Sequence, residues 1–121
     1  MSIGRITMIE FTSDEAMQAA AKLYLATQKE NFPNAQAVIN VKTGPMSVMT
    51  LSIYESYEEA EKNLVGKNKY LDAVAITIKD TFYYEGDLHY FFQDPNAEII
   101  SEYTEKDRLL FEAERKAEKS G

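Results

Sequence analysis

Apolar residues alternate with polar ones in some stretches of the chain and recur at helical spacing in others, and the two rhythms divide it into predicted elements. Ile6, Met8, Ile9 and Phe11 give residues 3 to 11 the β-branched and aromatic content of a strand. Thr12, with Glu15 three positions on, has the form of a capping box: a hydroxyl accepts from an orphan amide and a carboxylate reaches back. The helix it opens is predicted from Ser13 to about Asn31, on the spacing of Ala16, Met17, Ala20, Leu23 and Ala26. Phe32-Pro33-Asn34 ends it, because proline disfavours helical geometry in the residue before it. A second strand is predicted over 36 to 43, with Val38, Ile39 and Val41, and Thr43-Gly44-Pro45 supplies a turn. Met46 to Tyr54 alternates strictly and, after so short a connection, pairs with the second strand as an antiparallel hairpin.

Ser56 with Glu59 forms a second capping box, opening a helix to about Val65. Gly66 interrupts the pattern, and Tyr70, Leu71, Val74, Ile78 and Phe82 restart it, so a broken helical region is predicted from Tyr57 to about Thr81. Glu85-Gly86-Asp87 reads as a turn and Asp87 to Gln93 as the fourth strand, ending before Asp94-Pro95-Asn96. Thr104 caps a last helix carrying Leu109, Leu110, Phe111 and Ala113, which is expected to fray where Lys and Glu dominate beyond Ala113. Strand, helix, strand, strand, helix, strand is the split β-α-β order of the ferredoxin-like α+β fold, with an antiparallel sheet. That reading gives a domain over 1–97 and a C-terminal helical extension over 98–121.

Such a sheet carries both helices on one face and leaves the other open. The alternation assigns Val48, Thr50, Ser52 and Tyr54, with Val38, Asn40 and Lys42, to the open face. On the fourth strand both alternating sets, Leu88, Tyr90, Phe92 and Asp87, His89, Phe91, contain large aromatics. A solvated sheet face would show more charge. The mixture suits a sheet half buried against a second sheet around a small cavity, and pairing with a second copy about a two-fold axis supplies that sheet.

Composition narrows the function more than it names it. A formal net charge of −7 argues against unaided binding to nucleic acid or to an anionic membrane. The absence of cysteine removes disulfides, thiolate chemistry and cysteine-type zinc sites. With a single histidine, a nitrogen-and-sulfur metal cage is excluded too, and no cofactor is expected. There is no signal-peptide pattern near Met1 and no run approaching the roughly 18 apolar residues of a membrane span, so the expected location is cytoplasmic. Gly-rich phosphate loops, a Gly-x-Ser-x-Gly elbow and an EF-hand pattern are all missing.

The element order, the Thr43-Gly44-Pro45 hairpin, the interrupted second helix and the aromatic last strand resemble the dimeric α/β-barrel superfamily, nearest its antibiotic-biosynthesis-monooxygenase-like branch. The resemblance covers about Ile3 to Gln93. It implies paired sheets, and activities ranging from cofactor-free oxidation of aromatic substrates to haem degradation, lactone isomerisation or none. The haem-degrading branch relies on an Asn, Trp and His arrangement, and this chain has no Trp.

The residues themselves offer a short set of candidates. His89 is the single histidine, the side-chain type whose unperturbed pKa lies near neutrality and suits general acid–base work, or it is a solvated or hydrogen-bonded strand histidine. Asn40, in an apolar strand, orients a ligand oxygen or pairs with a neighbouring strand. Together they are the catalytic candidates. Tyr54, Tyr90 and Thr50 are the substrate-binding candidates, although Tyr54, Tyr83, Tyr84, Tyr90, Phe91 and Phe92 equally fit a core or dimer interface. Glu10 is a raised-pKa base if buried, and a solvated strand end otherwise. The functional expectation is a small-molecule-handling homodimer, in the form of a cofactor-independent monooxygenase-like enzyme on an aromatic or apolar substrate. Its rivals are a non-catalytic binding or regulatory dimer and a purely structural dimer.

Overall fold

Ile3, Arg5, Ile9 and Phe11 lie buried at alternate positions of the first strand, β1 (Ile3–Phe11), and the rest of the fold is arranged on either side of that alternation. A computed structural model describes residues 2–96 and 104–120. The helix α1 (Asp14–Asn31) is capped by Ser13, whose hydroxyl accepts from the Ala16 amide at 3.0 Å. The cap is therefore one residue later than the Thr12 expected from the capping-box spacing. The chain returns as β2 (Ala37–Gly44) and β3 (Ser47–Tyr54), the expected hairpin, with the turn at Pro45 and Met46. Ser56 caps α2 (Tyr57–Lys62) as expected. After Asn63 the second helix, α3 (Leu64–Val74), ends in a short 3-10 turn at Ala75–Thr77. The next strand, β4 (Ile78–Asp87), is followed by the last helix, α4 (Glu105–Ser120).

The fourth strand corrects the sequence reading. Helix was expected to about Thr81 and strand from Asp87 to Gln93, yet the strand occupies 78–87 and residues 88–93 have no regular structure. The spacing of Val74, Ile78 and Phe82 is the cause. A repeat of four fits both a helical stripe and one face of a strand, and the β-branched and aromatic run from Ile76 to Tyr84 decides for the strand. Glu85-Gly86-Asp87 is likewise extended, paired with Arg5, Gly4 and Ile3, and not a turn.

The four strands form one antiparallel sheet in the order β2-β3-β1-β4. Packing between sheet and helices concentrates in two places. Ile9, Phe11, Met17, Ala20 and Val74 form one apolar cluster, which Val48 joins, and Ile3, Tyr54 and Ala60 form another. The register across β1 then fixes the faces: Val48, Thr50, Ser52 and Tyr54 point toward the helices, as do Val38, Asn40 and Lys42. This inverts the expected assignment. The open face carries Ile6, Met8, Ile39, Val41, Met49, Leu51, Phe82 and Tyr84. Both alternating sets held enough apolar residues to look like a core face, and the one with Thr and Ser proved to be the covered one.

α3 approaches α1 closely at Gly66, where an added Cβ would stand 2.0 Å from the Asn31 carbonyl oxygen. α4 lies against α1, with the Lys22 ammonium over the Phe111 ring and Arg115 paired with Glu30 at 3.5 Å. It stays helical to Ser120, past the point where fraying was expected. Ion pairs from Arg108 to Glu105 and Glu112 support its first turns. The expected boundary at 97/98 lies outside the described residues. Among the described residues no helix is long and apolar enough to cross a membrane.

Candidate functional site

Between the two apolar clusters the helix-facing side of the sheet turns polar. The register sets Asn40, Thr50, Thr7 and Tyr83 side by side across the four strands, and Val38, Ser52, Arg5 and Glu85 in the adjoining row. Thr7 and Thr50 belong to the two central strands beneath the helices, yet both are only half-buried, so solvent reaches this band. The Thr50 hydroxyl donates to Asn40 Oδ1 at 2.7 Å. Two of the expected site residues are thus joined, on the covered side of the sheet.

The charged part of the band is more tightly built. Arg5 is only 5% exposed; its Nε donates to Glu85 Oε2 at 2.6 Å and its Nη1 to the Ala60 carbonyl at 2.9 Å. Its guanidinium also lies 5.4 Å from the centre of the Tyr54 ring. Tyr54 itself is 2% exposed and packs with Ile3 and Ala60. The Tyr83 hydroxyl donates to the same Glu85 oxygen at 2.8 Å. Burial and that bond push the Tyr83 phenol up to about 12. Burial would raise Glu85, but hydrogen bonds from Arg5 and Tyr83 outweigh it and hold the carboxyl below its usual range. From α3, the Lys67 ammonium sits 3.4 Å from the centre of the Tyr83 ring. Desolvation, then the Arg5 charge, lower its pKa.

Asn63 stands one helical turn before Lys67, at the junction of α2 and α3. Its backbone amide donates to the Ala60 carbonyl, the same acceptor Arg5 uses, and its own carbonyl accepts from Lys67 at 2.9 Å. Its side chain is 1% exposed, and neither Nδ2 nor Oδ1 has a hydrogen-bond partner among the described residues. An amide left so costs about 1–3 kcal/mol, which most folds avoid. The sequence reading passed over Asn63 and Lys67. Their signal was there: an Asn at the break of a helix, on the face shared by Tyr70 and Val74, and a Lys four residues on.

The other expected residues fall elsewhere. His89 and Tyr90 follow β4 on an exposed segment, at the sheet edge opposite Asn40, so one chain does not bring His89 and Asn40 together. Glu10 is solvated and 3.4 Å from the Lys79 ammonium. A concavity of about 430 Å³ lies at the hairpin end of the sheet, lined in part by Met8, Glu10, Thr43 and Phe82, and includes neither Asn40 nor His89. Among the described residues no group of His, Cys, Asp or Glu is placed to hold a metal ion.

No protein-family model and no curated protein matches the chain. Solved structures do. SnoaB, a cofactor-independent oxygenase from Streptomyces nogalater, superposes with a TM-score of 0.62 at 6% identity, over 77% of this chain and 98% of that one. A monooxygenase of Streptomyces coelicolor, solved with nanaomycin D, gives 0.61 at 8% identity, over 77% and 92%. A dimeric ferredoxin-like protein from an uncultured marine organism gives 0.61 at 11% identity, over 77% and 92%. The chain has their ferredoxin-like fold. At such identities the likeness is one of architecture, and it agrees with the resemblance carried by the element order.

Proposed function

We propose that the chain is a small-molecule-handling homodimer of the cofactor-independent monooxygenase type, binding an aromatic or apolar substrate between α3 and the polar band of the sheet. The observation that carries this reading is the buried, unpaired amide of Asn63, whose backbone shares the Ala60 carbonyl with Arg5 of the Arg5–Glu85–Tyr83 network. Such a group earns its place when a ligand oxygen or amide completes it. Tyr54, Thr50 and Asn40 share the same face of the sheet. The oxygenase and ligand-bound monooxygenase among the structural neighbours support the same class.

The second copy belongs on the other face. Ile39, Val41, Phe82 and Tyr84 are 46%, 43%, 51% and 59% exposed and adjoin Ile6 and Met8, a continuous apolar surface that a lone soluble chain rarely shows. Ligand and dimer then use opposite faces. A thermal-shift screen with small aromatics tests the site in four proteins: the parent, Asn63→Ala, Asn40→Ala and His89→Ala. Stabilisation lost in Asn63→Ala and weakened in Asn40→Ala is expected, with His89→Ala close to the parent. Stabilisation that survives Asn63→Ala and disappears in His89→Ala would move the site to the segment after β4.

A further inference from the structure

The helix-facing band carries more positive charge than it neutralises. Arg5 and Lys67 bring two cations to one carboxylate, Glu85, whose Oε2 already accepts from both Arg5 and the Tyr83 hydroxyl. Among the described residues no carboxylate lies in ion-pair range of the Lys67 ammonium, which rests on the Tyr83 ring instead. Glu85 acts on the Lys67 ammonium from beyond ion-pair distance and is shared with Arg5, so the lysine is desolvated with only part of a counter-charge in return. Burial and then the Arg5 charge lower its pKa, and the Glu85 charge offsets only part of this. One helical turn away on the same face stands the unpaired Asn63 amide, whose Nδ2 is a free donor.

A cation resting on an aromatic ring and an unpaired amide donor thus stand one helical turn apart at the start of α3. From that juxtaposition we infer that Lys67 and Asn63 form an oxyanion subsite, selecting a ligand whose aromatic body carries an ionised oxygen. The inference rests on the small-molecule reading above. The Tyr83 ring supplies a flat apolar contact, the Lys67 ammonium the counter-charge and Asn63 Nδ2 a directed hydrogen bond. Glu85 and Arg5 hold Tyr83 in place and do not themselves touch the anion.

para-Nitrophenol is a direct probe, because its absorbance reports whether it is ionised, and para-nitroanisole is its uncharged counterpart. Binding of both to the full chain is measured against pH for the parent, Lys67→Met and Lys67→Arg. The expected result is phenolate bound about tenfold or more tightly than the anisole, with the bound phenol ionising about one pH unit or more below the free one. That preference disappears in Lys67→Met and is kept in Lys67→Arg, whose retention also shows that the site is intact. Equal binding of phenolate and anisole, or an unchanged preference in Lys67→Met, overturns the subsite and leaves the small-molecule reading standing. No binding of either probe removes that reading and the subsite with it.

Discussion

Replacing Gly66 by alanine sets two effects of opposite sign against each other. In a helix interior, alanine is favoured over glycine by about 1 kcal/mol, so propensity alone makes Gly66→Ala stabilising. The structure says otherwise. The new Cβ would lie 2.0 Å from the Asn31 carbonyl oxygen and 2.6 Å from its carbonyl carbon and Cα. These are backbone atoms near the end of α1 and cannot rotate away, so the helices must part. Overpacking of this kind costs roughly 1–3 kcal/mol and here belongs at or above the upper end. The net expectation is a loss of about 2 kcal/mol. Unfolding entropy of about 2.1 cal/mol/K per residue converts that to a fall in Tm of roughly 8 °C for a chain of this size. Urea unfolding followed by circular dichroism measures it, with Gly86→Ala as the control, since an added Cβ there meets nothing within 4 Å. A Gly66→Ala protein as stable as the parent, or more so, would refute the close approach. The same close contact of α3 with α1 holds Asn63 and Lys67 over the sheet, so ligand-induced stabilisation should weaken in this variant as well.

Removing the Glu85 carboxylate leaves the buried Arg5 without its ion-pair partner; because Glu85 itself is partly solvated, Glu85→Ala should lose about 1–2 kcal/mol in urea unfolding, and a loss below about 0.5 kcal/mol would contradict the Arg5–Glu85 pair. Because the folded-state pKa of Glu85 lies below 4.5, its contribution is present above that pH and fades as pH falls through the folded value; the parent's urea midpoint should drop more steeply than that of Glu85→Gln below about pH 4.5. Tyr83 has the opposite sign: with its pKa raised from 10.0 to about 12, the parent should lose stability relative to Tyr83→Phe as pH rises from 10 toward 12, and parallel curves would count against its bond to Glu85. Asn63→Leu removes an unpaired buried amide and should hold or raise Tm without ligand while abolishing the ligand-induced shift; a fall of several degrees would show that the amide is paired in the fold. Val41→Lys places a charge on the open apolar face, and sedimentation should show monomer where the parent is dimeric; a dimer unaffected by it would put the interface elsewhere.

Local signals carried the first half of the fold. Ser56 and the alternation of Met46 to Tyr54 act through neighbours in sequence, and both elements stand where they were expected. The fourth strand was misread because Val74, Ile78 and Phe82 satisfy two periods at once, and the contacts that choose between them, the pairing of β4 with β1, join residues more than 65 positions apart. The face of the sheet that carries the candidate residues was misread for a related reason. Alternation shows that Thr50 and Leu51 face opposite ways, but not which way is covered; Arg5 reaching the Ala60 carbonyl settles that, and nothing near Arg5 in sequence announces it. Tyr54, Thr50 and Asn40 therefore kept their mutual side while that side changed its surroundings, and the place of Lys67 over Tyr83 became legible only once the sheet had an inside.

The central claim is that ligand and second copy use opposite faces of one sheet. Side-chain amide and methyl NMR spectra of the full chain, recorded as an aromatic phenolate is titrated in, test it most directly. The side-chain amide of Asn63 and the methyls of Thr7 and Thr50 should shift, while the methyls of Met8, Met49 and Val41 on the open face stay fixed. Shifts confined to Met8, Met49 and Val41, with Asn63 unmoved, would contradict it.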